Sequence, residues 1–383
     1  MEDGELTSAQ CARNYDNIWA MEIQKLKLTD FRNLKSKLIE FDSKINIIVG
    51  PNGSGKTNVL ESIYLASTGK SFKARVETEM INYKKDIARV KARIKHDGEI
   101  SDLEIVLTRG LLDIGNGQPQ KVNKKRLTKD ALPKRLVDFA GNFKVVLFGP
   151  WDMDLVTGSP TLRRKFLDSV LFQVDREYRR SILSYEKGLR QRNRLLYKIR
   201  EGEISGGQLT FWNQLLIKNG DYISKKREEL IDFVNGSKSK AITNYQLEYD
   251  RSVISEGRLE QYKNEEIASA TTLVGPHRDD FIFFKSITNK KITDKVKKEL
   301  SAYGSRGEQR MGILWLKMAE LSYIESTCGE RPTLILDDIF SELDESHREI
   351  VMDVIGNQQT IITSADTHLI KELKKVKKIE IVV

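Results

Sequence analysis

Gly50-Pro51-Asn52-Gly53-Ser54-Gly55-Lys56-Thr57 fits the pattern G-x-x-x-x-G-K-[ST]. An apolar strand pattern, Ile45–Val49, precedes it, and a helical pattern over 57–67 follows. Glycines at this spacing let the backbone bend round a phosphate chain, so that N–H groups and the helix N-terminus point at the anion. Lys56 is placed to reach the β- and γ-phosphates and the Thr57 hydroxyl to hold Mg2+. Far along the chain a second apolar run, Leu334-Ile335-Leu336, ends on Asp337-Asp338. Asp337 fits a carboxylate that binds Mg2+ through water, and Asp338 fits a base that orients an attacking water. Two aspartates at a solvated strand end would look the same in isolation. The phosphate loop gives them meaning.

Ser305-Arg306-Gly307-Glu308-Gln309 resembles the S-x-G-x-Q signature of ABC-class ATPases. It lies 32 residues before Asp337 and opens an apolar helix with Leu314, Met318 and Leu321 on one face. Ser341-Glu342-Leu343-Asp344, just past the aspartates, resembles that class's D-loop. The resemblance implies ATP with Mg2+ as the ligand. Gly50 through Thr57 would surround it from one chain, and Ser305, Gly307 and Gln309 would close it from another. In that class the signature serine of one subunit caps the γ-phosphate held by the loop of its mate. This chain has one copy of each motif, so the expectation is a homodimer joined across two ATP molecules, with hydrolysis as the release.

Longer stretches are similar to the RecF family, SMC-like ATPases of bacterial DNA replication and recombinational repair. They are Phe31-Arg32-Asn33-Leu34, the loop with Asn58 and Leu60-Glu61, Gly69-Lys70-Ser71-Phe72, Pro160–Asp168, Val274–Asp280 and Arg306–Arg310, within residues 21–370. The resemblance implies an α/β fold: an ABC/SMC-type ATPase head with mixed β-sheets, plus an inserted helical domain. It implies ATP-dependent binding of double-stranded and gapped DNA, weak DNA-stimulated hydrolysis, and RecA loading with RecO and RecR. Arg32 and Asn58 join the nucleotide-binding set on the same ground. Residues 1–20 have no family counterpart. Gly149-Pro150-Trp151-Asp152 offers no glutamine at the Q-loop place, and Thr363-Ser364-Ala365-Asp366 offers no switch histidine, with His368 off its position. Asp338 is one methylene shorter than the glutamate of fast ABC ATPases. Loss of positioning can cost ~100-fold, so a slow switch is expected.

The elements that must hold these groups fall into four stretches. Residues 1–20 read as a disordered or upstream-start extension that contributes little, neither a secretory signal nor a transit peptide. Residues 21–158 are β-rich and carry the phosphate loop. Residues 159–264 read as an inserted, short antiparallel helical arm: Ile182, Tyr185, Leu189, Leu196 and Ile199 lie on a heptad seam broken by Arg192, and Leu216, Ile223 and Leu230 recur every seven residues. Residues 265–383 return to β/α texture with the signature and the aspartates, as the second half of the head. Gly275–Asp280 reads as a turn closing the arm onto the sheet, and His277 has no partner at ligand spacing for a metal.

In 383 residues, 64 Lys+Arg against 55 Asp+Glu give a net charge of +9. The excess is local. Residues 176–200 hold nine Lys/Arg, including Arg190, Arg192 and Arg194, against Glu177 and Glu186, and a second run contains Lys124-Lys125-Arg126. A polyanion-contacting surface is expected there, with a solvated helix face as the plain alternative. No apolar run nears the ~18–20 residues that span a bilayer, and two cysteines point to a reducing cytoplasm. A transporter subunit would want the Q-loop glutamine and no basic insertion. A hook-type SMC-like ATPase would need a far longer coiled coil, and a GTPase an Asn-Lys-x-Asp motif. A non-catalytic scaffold stabilised by ATP stays open.

Overall fold

The computed structural model describes residues 20–113, 119–237, 242–287, 296–341, 345–364 and 376–381. The extension 1–19, the D-loop-like Glu342-Leu343-Asp344, and Ala365, Asp366 and His368 lie outside them. The chain divides into two compact units, one formed by residues up to Pro150 and from Ile324 onward, the other by Trp151–Tyr323. Val274–Asp280 and Ser305 thus fall within the second unit.

The first unit holds two large sheets. One is antiparallel, ordered β2 (Leu34–Glu40), β1 (Glu22–Phe31), β4 (Ile87–His96), β5 (Glu99–Thr108), β8 (Lys125–Lys129) and β9 (Leu132–Lys134). Its strands alternate: Ala88, Val90, Ala92 and Ile94 are buried, while Arg89, Lys91 and Arg93 face water. A hairpin of β6 (Leu111–Asp113) and β7 (Pro119–Lys121) stands apart from it. The other sheet is parallel throughout, ordered β10 (Val145–Phe148), β14 (Thr333–Asp337), β15 (Thr360–Ser364), β3 (Ile45–Val49) and β16 (Val376–Glu380). Every residue of β10, β14 and β15 is buried, the pattern of strands covered on both faces. Gln359, 1% exposed, ties the sheets together: its side chain accepts the Ile23 N–H and donates to the Ile23 and Asp42 carbonyls, each at 2.8 Å. Helix α1 (Lys56–Thr68) follows β3 and stops at Gly69, whose φ of +67° lets its N–H close on Leu65 O.

The second unit is mainly helical. Helix α2 (Pro160–Val174) starts with Pro160 in its first turn, and α3 (Arg176–Arg200) is capped by Asp175, which accepts the Tyr178 N–H at 2.9 Å. Helices α3 and α4 (Thr210–Gly236) form the expected antiparallel hairpin, about 38 and 40 Å long. Its seam buries Ile182, Tyr185, Leu196, Leu216, Ile223 and Leu230. Gly188 lets the helices pack closely: a Cβ there would lie 2.6 Å from the Leu215 Cδ2 methyl, which would have to move. Beside the hairpin sit α5 (Lys263–Ser269), a three-stranded antiparallel sheet of β11 (Tyr245–Asp250), β12 (Asp280–Ile287) and β13 (Val296–Glu299), and the start of α6 (Arg306–Cys328). Helix α7 (Glu345–Val354) belongs to the first unit. No helix among the described residues is long and apolar enough to cross a membrane.

Arg192, which interrupts the seam, is 2% exposed. It donates to Glu266 Oε2 (2.6 Å), Asn213 Oδ1 (2.7 Å) and Thr272 Oγ1 (2.8 Å). The expectation that it contacts a polyanion is corrected here, because a guanidinium buried on a buried carboxylate is not presented to any ligand. Removing one member of such a pair strands the other charge, at a cost of about 3–5 kcal/mol. Arg192→Met is therefore expected to lower the unfolding free energy from urea titration by that amount, moving the midpoint down, and Arg192→Met with Glu266→Met to regain most of it. An unchanged midpoint in the single variant would show that Glu266 finds another partner.

Candidate nucleotide site

Strand β3 delivers the chain to Gly50 at the carboxyl edge of the parallel sheet, and α1 begins at Lys56. The glycines between them are needed for different reasons. A Cβ on Gly50 would sit 2.6 Å from Ile381 O, whereas Gly53 and Gly55 have φ of +80° and +103°. Pro51, Asn52 and Gly53 are exposed, and Lys56 Nζ donates to the Gly50 and Pro51 carbonyls at 2.7 and 3.3 Å, which holds the ammonium on the loop. Ser54 is buried, and its Oγ has no partner among the described residues. A buried, unspent hydroxyl inside a glycine loop is the kind of group a phosphate oxygen satisfies.

Strand β14 lies two strands from β3 and ends at the same edge, so Asp337 reaches Thr57. The Thr57 hydroxyl donates to Asp337 Oδ2 at 2.9 Å, with Oδ1 at 3.3 Å. A hydroxyl with its proton committed to a carboxylate turns its lone pairs outward, the donor set that Mg2+ takes beside a phosphate chain. These residues fit Mg-ATP. Asp338 has φ +50°, a left-handed conformation that costs a side chain about 1–3 kcal/mol unless its surroundings hold it.

The remaining expected residues are placed in several ways. Arg32 makes a bidentate pair with Glu61 at 2.7 and 2.9 Å and donates to Glu79 O at 2.7 Å. Its guanidinium thus fastens the turn after β1 to α1. Asn33, which sequence reasoning passed over, does touch the loop: it donates to Gly53 O (3.2 Å) and accepts from Asn58 (2.8 Å). The string Phe31–Leu34 was visible, but only the fold shows which of its side chains faces the glycines.

In the second unit, Ser305 and Glu308 form a reciprocal cap at the start of α6: the Ser305 N–H donates to Glu308 Oε2 (2.8 Å) and the Glu308 N–H to Ser305 Oγ (3.2 Å). Ser305 and Arg306 are exposed, and nothing stands within 4 Å of a Cβ built on Gly307. Gln309 is turned inward, 5% exposed, and donates to Leu300 O (2.9 Å) and Gly304 O (3.4 Å). Its expected place on the nucleotide gives way to one supporting the turn ahead of Ser305. His277 donates from Nε2 to Thr272 O (2.9 Å) and accepts the Tyr185 hydroxyl at Nδ1 (2.8 Å). Burial holds its pKa down to about 4, so the ring is neutral and structural.

Among the expected basic residues, Lys125 is paired with Glu77, while Lys124 and Arg126 are exposed. On α3, Arg190 and Arg194 are exposed with Lys187 on the same face, and none of the three has an ion pair among the described residues.

The parallel sheet with a glycine loop and paired aspartates at its carboxyl edge defines the class. The RecF/RecN/SMC N terminal domain family model matches residues 22–382, and the SMC head domain from Pyrococcus yayanosii shares the fold, with a TM-score of 0.51 at 14% identity over 94% of this chain and 95% of that one. The chain belongs to the RecF family. It is 36% identical to the DNA replication and repair protein RecF of Halothermothrix orenii over 92% of this chain and 94% of that protein. The RecF of Oceanobacillus iheyensis is 32% identical over 91% and 94%. A solved structure of the recombination mediator protein RecF with ATP, in the RecFOR pathway, superposes with a TM-score of 0.78 at 28% identity, covering 91% and 93%.

The Lys298 ammonium, then the Ser305 N–H and Lys285, hold the Glu308 carboxyl down at about 2 from an ordinary 4.5. A depressed pKa means stability that is present above pH 4.5 and lost as pH falls towards 2. Glu308→Gln is expected to cost about 1 kcal/mol at pH 7, the usual worth of a cap, with the gap to wild type closing over that acid range. A gap independent of pH, followed by thermal melts, would mean that the ionised carboxylate is not what holds the cap.

Proposed function

We propose that this protein is an ATP-dependent DNA-binding protein of replication and recombinational repair. In this reading two copies pair across ATP on gapped DNA and part after slow hydrolysis. The contact between Thr57 and Asp337 carries the nucleotide half of it, because it assembles a metal-ready hydroxyl and carboxylate at the end of a phosphate-binding loop. Lys56 would meet the β- and γ-phosphates, Ser54 and the loop N–H groups would hold the phosphate oxygens, and Thr57 with Asp337 would hold Mg2+. Bound Mg-ATP supplies the γ-phosphoryl group and the charge neutralisation its transfer needs. Asp338 orients the attacking water. Ser305 of one copy would close the site of the other, the exposed open turn at Ser305–Gly307 being free to do so.

The DNA half rests on Lys187, Arg190 and Arg194, three exposed cations on one face of α3 with no acid paired to them among the described residues, supported by Lys124 and Arg126 on the first unit. Contacts to phosphates carry no base information, so the reading is of DNA structure rather than sequence. Kinship with a mediator solved in the RecFOR pathway supports RecO and RecR as partners in loading RecA, and a cytoplasmic place goes with that role.

Lys56→Ala is expected to weaken binding of a fluorescent ATP analogue at least tenfold. In sedimentation, wild type should double its mass with ATP but not with ADP, and Ser305→Arg should stay monomeric with either. A wild type that remains monomeric with ATP refutes the shared site.

Reversing Lys187, Arg190 and Arg194 to Glu is expected to flatten the slope of log affinity against log salt by about 2.7 for each copy bound, at ~0.9 per lost duplex contact. If the slope keeps its wild-type value, DNA binds elsewhere.

A further inference from the structure

Strands β14 and β15 run parallel with Asp337 opposite Thr363, so Thr363 stands beside both acids at the sheet's carboxyl edge. Thr363 is 1% exposed. Its hydroxyl donates to Asp337 Oδ1 at 2.5 Å and accepts the Asp338 N–H at 3.1 Å, while its backbone carbonyl takes the same N–H at 3.2 Å. The other carboxylate oxygen of Asp337 is the one that accepts from Thr57. One hydroxyl therefore fixes the rotation of the first carboxylate and, together with the Thr363 carbonyl, pins the left-handed backbone that presents the second.

We infer that Thr363 is the positioning residue of this site, setting Asp337 for the metal and Asp338 for the water through a single side chain. The inference rests on the nucleotide reading above and adds a role to a residue to which the motifs assign none. The hydroxyl has one proton to give, and Asp337 takes it. With Oδ1 occupied in this way, Oδ2 is left aimed along the Thr57 side. Valine keeps the shape of threonine but loses both bonds, whereas serine keeps both.

The test is a magnesium titration of nucleotide binding by the full chain, with a fluorescent ATP analogue as the probe, on wild type, Thr363→Val, Thr363→Ala and Thr363→Ser. The valine and alanine proteins are expected to need about tenfold more Mg2+ for half-maximal binding, and their kcat should fall more than KM rises. Serine should stay within about twofold of wild type on both measures. Circular dichroism identifies the folded variants, and the alanine protein serves where valine misfolds. Either hydroxyl-free variant, folded and with the wild-type magnesium midpoint, overturns the inference while leaving the nucleotide reading intact. Nucleotide binding by wild type that ignores both Mg2+ and Lys56→Ala would instead overturn the reading beneath it.

Discussion

The contact between Thr57 and Asp337 joins residues 280 positions apart, and most of the first unit exists to make it possible. A hydroxyl and a carboxylate so distant in sequence meet within 3 Å only if β3 and β14 end at one edge of one sheet. That in turn requires β15 to lie between them in register. The all-buried strands supply the register: a one-residue slip would turn each side chain to the opposite face and move Asp337 away from Thr57. Gln359 adds a second lock by satisfying backbone groups of the antiparallel sheet from the end of β15. The chemistry at the edge thus inherits its precision from apolar packing beneath it.

The second unit is held by a different device. Arg227 is 2% exposed and donates to Asp168 (2.7 Å), to Asp279 (3.0 Å) and to Pro276 O (2.6 Å), while Tyr178 and Tyr249 give their hydroxyls to Asp168 and Asp279. Nearby, Arg163 grips Asp280 with two bonds of 2.6 and 2.8 Å. Charges at this depth gain little net stability over well-packed apolar groups, since desolvation offsets most of the attraction. What they impose is directionality. A leucine seam tolerates rotation of one helix on another, but a guanidinium with three assigned acceptors does not. Burial pushes the Tyr178 hydroxyl far up, and the surrounding acids hold Arg227 charged against its own burial.

How much of this was legible in the chain depended on the range of the interaction. The phosphate loop, its strand and its helix are local in sequence and could be read as a string. The hairpin could be read from its seven-residue spacing, including the break at Arg192. What could not be read was where an arginine goes. Arg190, Arg192 and Arg194 look alike as letters, yet a turn of 100° per residue puts Arg192 on the opposite side, facing Glu266 from a different helix. Arg32 and Gln309 pose the same problem: each sits in a motif, and each is claimed by a neighbour (Glu61, or the Leu300 carbonyl) that only the folded chain brings near. Thr363 opened the string at the switch place but was given no role of its own, because a threonine ending an apolar strand is ordinary until the adjacent strand proves to be the one ending in Asp337.

Losing Arg192 from the basic face changes what that face can do alone. Of the nine cations on α3, Arg179 and Arg192 are buried, Arg180, Lys198 and Arg200 already have acids beside them, and Arg176 stands at the helix start, three turns before Lys187. The stripe left by Lys187, Arg190 and Arg194 is about 10 Å long at 1.5 Å per residue. Three phosphate contacts give a salt exponent of about 2.7, so affinity changes only about 40-fold between 50 and 200 mM salt. Six contacts, as two paired copies would offer, raise the exponent to about 5.4 and the change to roughly 2,000-fold. In the proposed reading a single arm would therefore hold DNA weakly, and a pair strongly. In the proposed mechanism no conformational signal has to travel from nucleotide to DNA: bringing two copies together doubles the charge set against one duplex, and separating them halves it.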